Sequence, residues 1–320
     1  MSGFTRRDVL GLGLAAVPFA MGAAGSTAGG VQLAVNLYSF RELLNTPGDF
    51  IDKSIAAMRK LGLDQCEVFE PAIQPPALNV DQPWAMQPGK PPTEASIYGR
   101  PPPGGPDEWY RKAVRDWRLA VPIGEIEAMG RKFKDAGIGV ISFGMRIKDF
   151  MADDELDRGF QMAKALGTNL ISTSTTLTMA RRIIPFAERH GVLVAMHNHS
   201  NLSDPNQFAT TESFVEALAM SPRYRINLDI GHYVATNGDP LAFIRRFHDK
   251  ITHLHVKDRK RDDGPNMPMG QGDVPIKAVL RLLRDQHYPI PAAVEYEYAG
   301  TGDSVEETGK CIAYMKACLA

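Results

Sequence analysis

Cysteine is scarce: Cys66, Cys311 and Cys318 are the only three in 320 residues. None has metal-type spacing. Cys311 and Cys318 stand seven apart, about two helical turns or roughly 10 Å, too far for an unstrained disulfide. All three are expected to be core or free thiols. Charge of one sign is also missing. The 36 Lys and Arg offset 37 Asp and Glu to a net charge of −1, so the chain lacks the basic footprint of a nucleic-acid binder and no nucleic-acid partner is expected. The apolar run at 9–24 is rich in Ala and Gly, too short and too weakly apolar for a comfortable bilayer span. No stable membrane insertion is expected. No glycine-rich phosphate loop follows the first strand candidate, which removes the usual mark of an open dinucleotide-binding sheet.

What is present starts at the N-terminus. Arg6 and Arg7 precede the apolar run, and Ser26-Thr27-Ala28 follows it as a cleavage site. Residues 1–28 resemble a twin-arginine export signal. That resemblance implies the twin-arginine export machinery as a partner, a periplasmic destination and export in the folded state, with any cofactor already loaded. Residues 29–320 then form the mature domain.

Beyond the signal, short β-branched runs alternate with amphipathic stretches of helical period. Strands are expected at 32–36, 66–69, 139–143, 169–172, 193–197, 225–229, 252–257 and 292–297. Helices are expected at 49–62, 123–137, 153–167 and 274–286, among others. Gly62, Gly137 and Gly167 stand where C-terminal caps belong. Eight strands alternating with helices predict an α/β fold of parallel βαβ units, a single-domain (β/α)8 TIM barrel. An open doubly wound sheet is the structural alternative. One interval breaks the rhythm: 71–120 begins with a Pro- and Gly-dense stretch carrying Trp84 and Tyr98, then turns helical at "DEWYRKAVRDWRLAV". It follows the second strand, so in a barrel it reaches the C-terminal rim, as a lid or as a disordered insertion.

Five of the eight histidines, His197, His199, His232, His253 and His255, lie at or just past strand ends. In "VAMHNHS" alternation puts His197 and His199 on one face and Asn198 on the other. Strand six ends in "NLDIGH", with Asp229 at the tip and His232 three residues on. Strand seven, "THLHVKD", turns His253, His255 and Lys257 one way, and strand eight, "VEYEY", does the same for Glu295 and Glu297. In a parallel barrel these ends converge on one rim. His197, Asp229, His255 and Glu295 are therefore expected to hold one divalent metal ion. Nitrogen and carboxylate oxygen without thiolate suit Mn2+ first, with Mg2+, Co2+ or Zn2+ as alternatives. His199 and His253 are expected beside the metal shell or lining the pocket.

"LGLDQCEVFE", "NLDIGH", "HLHVKDR" and "AAVEYE", in this order and spacing, together with "MGQGDVPIKAVLRLL", resemble the sugar phosphate isomerase/epimerase family of xylose-isomerase-like barrels. The likeness runs from Val31 to about Ala317. It implies a divalent metal on the C-terminal rim and chemistry on keto- or hydroxy-sugars. Asp229, His255 and Glu295 match the family's ligands. At the end of strand five the family's epimerases place a glutamate, and here stands His197. The pair of facing carboxylates used for two-base epimerisation is thereby lost, whereas branches with a histidine-rich strand five carry out eliminations or hydrations.

The expected chemistry is proton removal beside a carbonyl: an isomerase or epimerase acting on an unphosphorylated sugar or keto-sugar. The alternative is a lyase, dehydratase or hydratase acting on 3-keto-glycosides or an inosose. A non-catalytic periplasmic sugar binder and an apurinic endonuclease are the remaining readings. Glu295 or Glu297 is expected as base, Lys257 or His232 as acid, and Glu67, His199, His253 and Trp84 as substrate contacts. No basic cluster for a phosphate is evident among the strand ends.

Overall fold

The computed structural model describes residues 26–78 and 107–320. The segment read as an export signal, as far as Gly25, together with Trp84 and Tyr98, lies outside the described residues.

Eight parallel strands close on themselves: β1 (Val31–Asn36), β2 (Gln65–Phe69), β3 (Gly139–Gly144), β4 (Leu170–Thr173), β5 (Leu193–His197), β6 (Tyr224–Asp229), β7 (Ile251–Val256) and β8 (Ala292–Val294). Closure is made where β8 pairs with β1, Ala292 opposite Leu33 and Val294 opposite Val35. This excludes the open sheet and gives the expected TIM barrel. Two strand ends are corrected. Strand eight stops at Val294 rather than 297 and strand seven at Val256 rather than 257. Glu295, Glu297 and Lys257 therefore stand on the rim turns, although the Glu295 amide still donates to Val256 O at 3.1 Å. A two-residue strand, Thr27–Ala28, pairs antiparallel with β1, and Ser26 is buried. The boundary expected at 28/29 thus falls inside a hairpin.

The helices follow from caps and periodicity. In α1 (Phe50–Leu61) the Asp49 carboxylate accepts from the Asp52 amide at 3.0 Å, and Gly62 ends the helix at φ +67°, a left-handed cap open to glycine. The interval read as an insertion, 71–120, is helical at its described C-terminal end, where α2 (Asp107–Ala120) covers α4 (Asp153–Ala165). Here Arg118 is buried between Glu70 and Glu155, with Nε 2.9 Å from Glu70 Oε1. Gly130, in α3 (Ile123–Asp135), permits close approach to α4. A Cβ there would meet Leu166 O at 2.8 Å and Ala165 O at 2.9 Å, both backbone atoms. Gly130→Ala is expected to destabilise the fold by about 1–3 kcal/mol, read as a lower urea midpoint at unchanged slope. Among the described residues no helix is long and apolar enough to cross a membrane.

Strand alternation divides the labour. Leu33, Val35, Val68, Ile171, Val194, Ile226, Leu254 and Val294 belong to the apolar core shared with the helices. The residues between them meet inside the barrel. Low in the barrel these are Ala34, Ile141 and Ala293. Higher up they are polar and buried: Asn36, Glu67, Ser172, His197, Asn227, Asp229, His253 and His255. The barrel is therefore a greasy shell around a polar upper interior that opens at the C-terminal rim.

Candidate metal centre and substrate pocket

His197, Asp229, His255 and Glu295 each offer a ligand atom, and these atoms lie within 4.8 Å of one another. All four are buried. The expected set is thus brought together by β5, β6, β7 and the turn after β8.

The surroundings orient each group. His197 Nδ1 lies 2.8 Å from Ser174 Oγ, which leaves Nε2 facing His255 Nδ1 at 3.0 Å and Asp229 Oδ2 at 3.6 Å. His255 Nε2 meets Glu67 Oε1 at 3.1 Å, so its Nδ1 is the nitrogen turned to the site. Such carboxylate–imidazole pairs fix the tautomer of a metal-binding histidine. Glu67 also meets His253 Nε2 at 2.8 Å and Ser142 Oγ at 2.5 Å. Asn198 holds strand six in place, donating to Asp229 O at 3.0 Å and accepting from its amide at 2.9 Å. Asp229 Oδ1 accepts from the His232 amide at 2.7 Å and caps the short helix Ile230–Ala235.

Three features of this cluster fit a cation. Two imidazole nitrogens whose ring partners are engaged elsewhere converge to 3.0 Å, as two ligand atoms of one ion would. Asp229 Oδ2 is buried and faces His197 Nε2 at 3.6 Å and the Lys257 ammonium at 2.9 Å, a place that draws positive charge. Burial alone would depress His255, yet Glu295 and Glu67 hold it well above the ordinary imidazole value. The donor set is the hard-to-borderline one suited to a divalent ion.

Lys257 closes one side. Its Nζ lies 2.9 Å from Asp229 Oδ2, 3.0 Å from Glu295 Oε2 and 2.6 Å from Glu297 Oε2. Burial would raise the Glu295 carboxyl, but Lys257 and His255 hold it well below the usual range. Asn36 Nδ2 donates to Glu295 Oε1 at 2.9 Å. Lys257 Nζ is also 2.8 Å from His232 Nε2, and Arg259 Nη1 donates to His232 Nδ1 at 2.7 Å. Burial pushes His232 well below its ordinary value, with Lys257, His199 and Arg259 adding to the effect. Lys257 Nζ thus stands between three carboxylates and the His232 ring.

A pocket opens to solvent over this cluster. Of the expected residues, His197, His199, His232, His255, Lys257, Glu67, Glu295 and Glu297 line it. His253 is fully buried behind Glu67, away from the pocket wall. Trp84 lies outside the described residues. The wall also holds Tyr38, Phe69 and Pro71, and two cations that sequence reading missed, Arg146 and Lys148. Burial brings Lys148 down to about 8, with Arg146 contributing. The expectation of no basic cluster is corrected here. The signal was legible in "FGMRIKD", where cations alternate with apolar residues just past β3.

An inosose dehydratase from Clostridium tetani (strain Massachusetts / E88) is 25% identical over 130 residues, which are 35% of this chain and 42% of that protein. The chain matches about two fifths of the length of the curated relatives it resembles. The probable 3-DHS dehydratase AsbF from Bacillus anthracis superposes with a TM-score of 0.59 at 16% identity, covering 88% of this chain and 98% of that one. The IOLI protein, solved with a bound zinc atom, gives 0.57 at 13%, covering 89% and 96%. At such identities the structural likeness is one of fold. The family match runs from residue 55 to 318, and with the closed barrel and its converging rim residues it identifies the chain as a member of the xylose isomerase-like TIM barrel family.

Proposed function

We propose that the protein is a divalent-metal-dependent carbon–oxygen lyase that removes a proton beside the carbonyl of a hydroxy-ketone of the sugar or cyclitol class and expels a neighbouring oxygen. The carrying observation is the buried group His197, Asp229, His255 and Glu295, three of which line the floor of the pocket while Asp229 lies just beneath it. These residues would hold one divalent ion, Mn2+ first, which when bound supplies Lewis acidity towards adjacent carbonyl and hydroxyl oxygens.

The chain's own groups do the rest. Glu295 is committed to Asn36 and the cation position, so Glu297, on the pocket wall, is the base for the carbon-bound proton. The Lys257–His232 pair delivers a proton to the departing oxygen. His199, which burial and the nearby His197 keep neutral, lines the wall where the sugar would lie. His197 in place of a second carboxylate favours elimination over two-base epimerisation, and the dehydratase names of two relatives agree with this. Isomerisation of an unphosphorylated keto-sugar is the second reading, and it would use the same first step. The segment read as a twin-arginine signal would put this chemistry in the periplasm.

The test is to incubate Mn2+-loaded protein with inososes, ketoses and 3-keto-glycosides in D2O. Loss of water or an aglycone is the expected result. Deuterium entering carbon without bond cleavage would instead mean isomerase, and neither event with any substrate would overturn the enzymatic reading.

A further inference from the structure

We propose that Ser174 is a positioning residue of the metal centre: its hydroxyl accepts from His197 Nδ1–H and donates to His199 Nε2, so that one side chain fixes the ring tautomers of a metal ligand and of a pocket histidine together. This rests on the metal reading above.

The need comes from the type of ligand. A carboxylate can offer either oxygen to an ion, whereas an imidazole binds only through a nitrogen that carries no proton. His197 Nε2 faces His255 Nδ1 at 3.0 Å and Asp229 Oδ2 at 3.6 Å, so as a ligand it must keep its proton on Nδ1. Ser174 Oγ stands 2.8 Å from that nitrogen. For His255 the matching place is held by the Glu67 carboxylate, at 3.1 Å from Nε2. For His197 it is held by a neutral hydroxyl, whose strength as an acceptor depends on where its own proton goes.

That proton has a destination. His199 Nε2 lies 3.2 Å from the same Oγ. A serine has one proton to give. With the His197 N–H directed at its oxygen, the hydroxyl points to His199, and a neutral His199 then carries its proton on Nδ1. Hydrogen bonds in such a chain polarise one another, so donation to His199 makes Oγ a better acceptor for His197.

The fold sets all three residues independently. Thr173 pairs with Met196 across β4 and β5, which brings Ser174 beside His197. Lys148 Nζ donates to Ser174 O at 3.2 Å, and two residues on Thr176 caps the helix Leu177–His190. The His199 amide donates to Phe208 O at 2.9 Å, which places that histidine without help from the serine. The two rings stand edge to face at 5.1 Å, and Ser174, His197 and His199 all line the pocket.

The experiment compares wild type, Ser174→Ala and Ser174→Thr with Zn2+, a diamagnetic ion of the expected class. Each protein is stripped and titrated against a competing chelator. Ser174→Ala is expected to bind Zn2+ about 10–100-fold more weakly, with an unchanged circular dichroism spectrum, while Ser174→Thr, which keeps the hydroxyl, stays within about threefold of wild type. Nitrogen-15 spectra of the Zn2+-loaded proteins with labelled histidine report the tautomers directly. His199 is expected as the Nδ1–H form in wild type and Ser174→Thr, with the Nε2–H form appearing in Ser174→Ala. Wild-type affinity in Ser174→Ala, equal weakening by alanine and threonine, or a His199 protonated on Nε2 in wild type would each overturn the proposal and leave the metal reading standing. Failure of wild type to bind Zn2+ would sink the metal reading, and the role of Ser174 with it.

Discussion

Asp229→Asn is expected to empty the metal site and lower turnover by at least about 10³-fold, because a carboxylate ligand and its charge are lost together. The substitution is chosen to spare the fold. Asp229 Oδ1 caps the helix that follows, a role an asparagine oxygen also fills. What disappears is the anionic character of Oδ2, the buried atom between His197 and Lys257. Metal content by elemental analysis should fall from about one equivalent to near zero, with an unchanged circular dichroism spectrum. Wild-type protein stripped with a chelator should match the variant, and added Mn2+ should rescue the wild type alone. Full metal content in the variant would mean that the four residues are not the binding group.

The second large effect lies away from the chemistry. Arg118→Met is expected to cost about 3–5 kcal/mol, since Glu70 and Glu155 would remain as buried carboxylates without their counter-ion. For a domain of this size that corresponds to a fall in melting temperature of roughly 10 °C. Replacing both acids by glutamine in the same variant should recover part of the loss. An unchanged melting temperature for Arg118→Met would mean that α2 is not anchored through this triad.

The barrel was legible because its period-two strands and glycine-capped helices are written locally. All eight strands fall within two residues of expectation, except where strand eight ends three residues early. The convergence of His197, Asp229, His255 and Glu295 was legible for the same reason: strand tips of a parallel barrel converge whatever the loops do. What escaped were contacts made across the chain. Asn36 reads as an ordinary strand residue, and only closure of β1 against β8 brings it to Glu295. Glu67 was expected to touch substrate. It lines the pocket, but its oxygens are engaged with His253, His255 and Ser142 from strands far away in sequence. Arg118 reads as one more helix cation until the fold buries it between two acids.

The greasy shell and polar upper interior of the barrel make it tolerant of new chemistry. Because the aliphatic side chains turn outward to the helices, the apolar packing that keeps the chain folded is separate from rim residues such as His197. Reactivity and robustness are thus encoded at alternate positions of the same eight strands. Selection can retune one register while leaving its neighbour untouched.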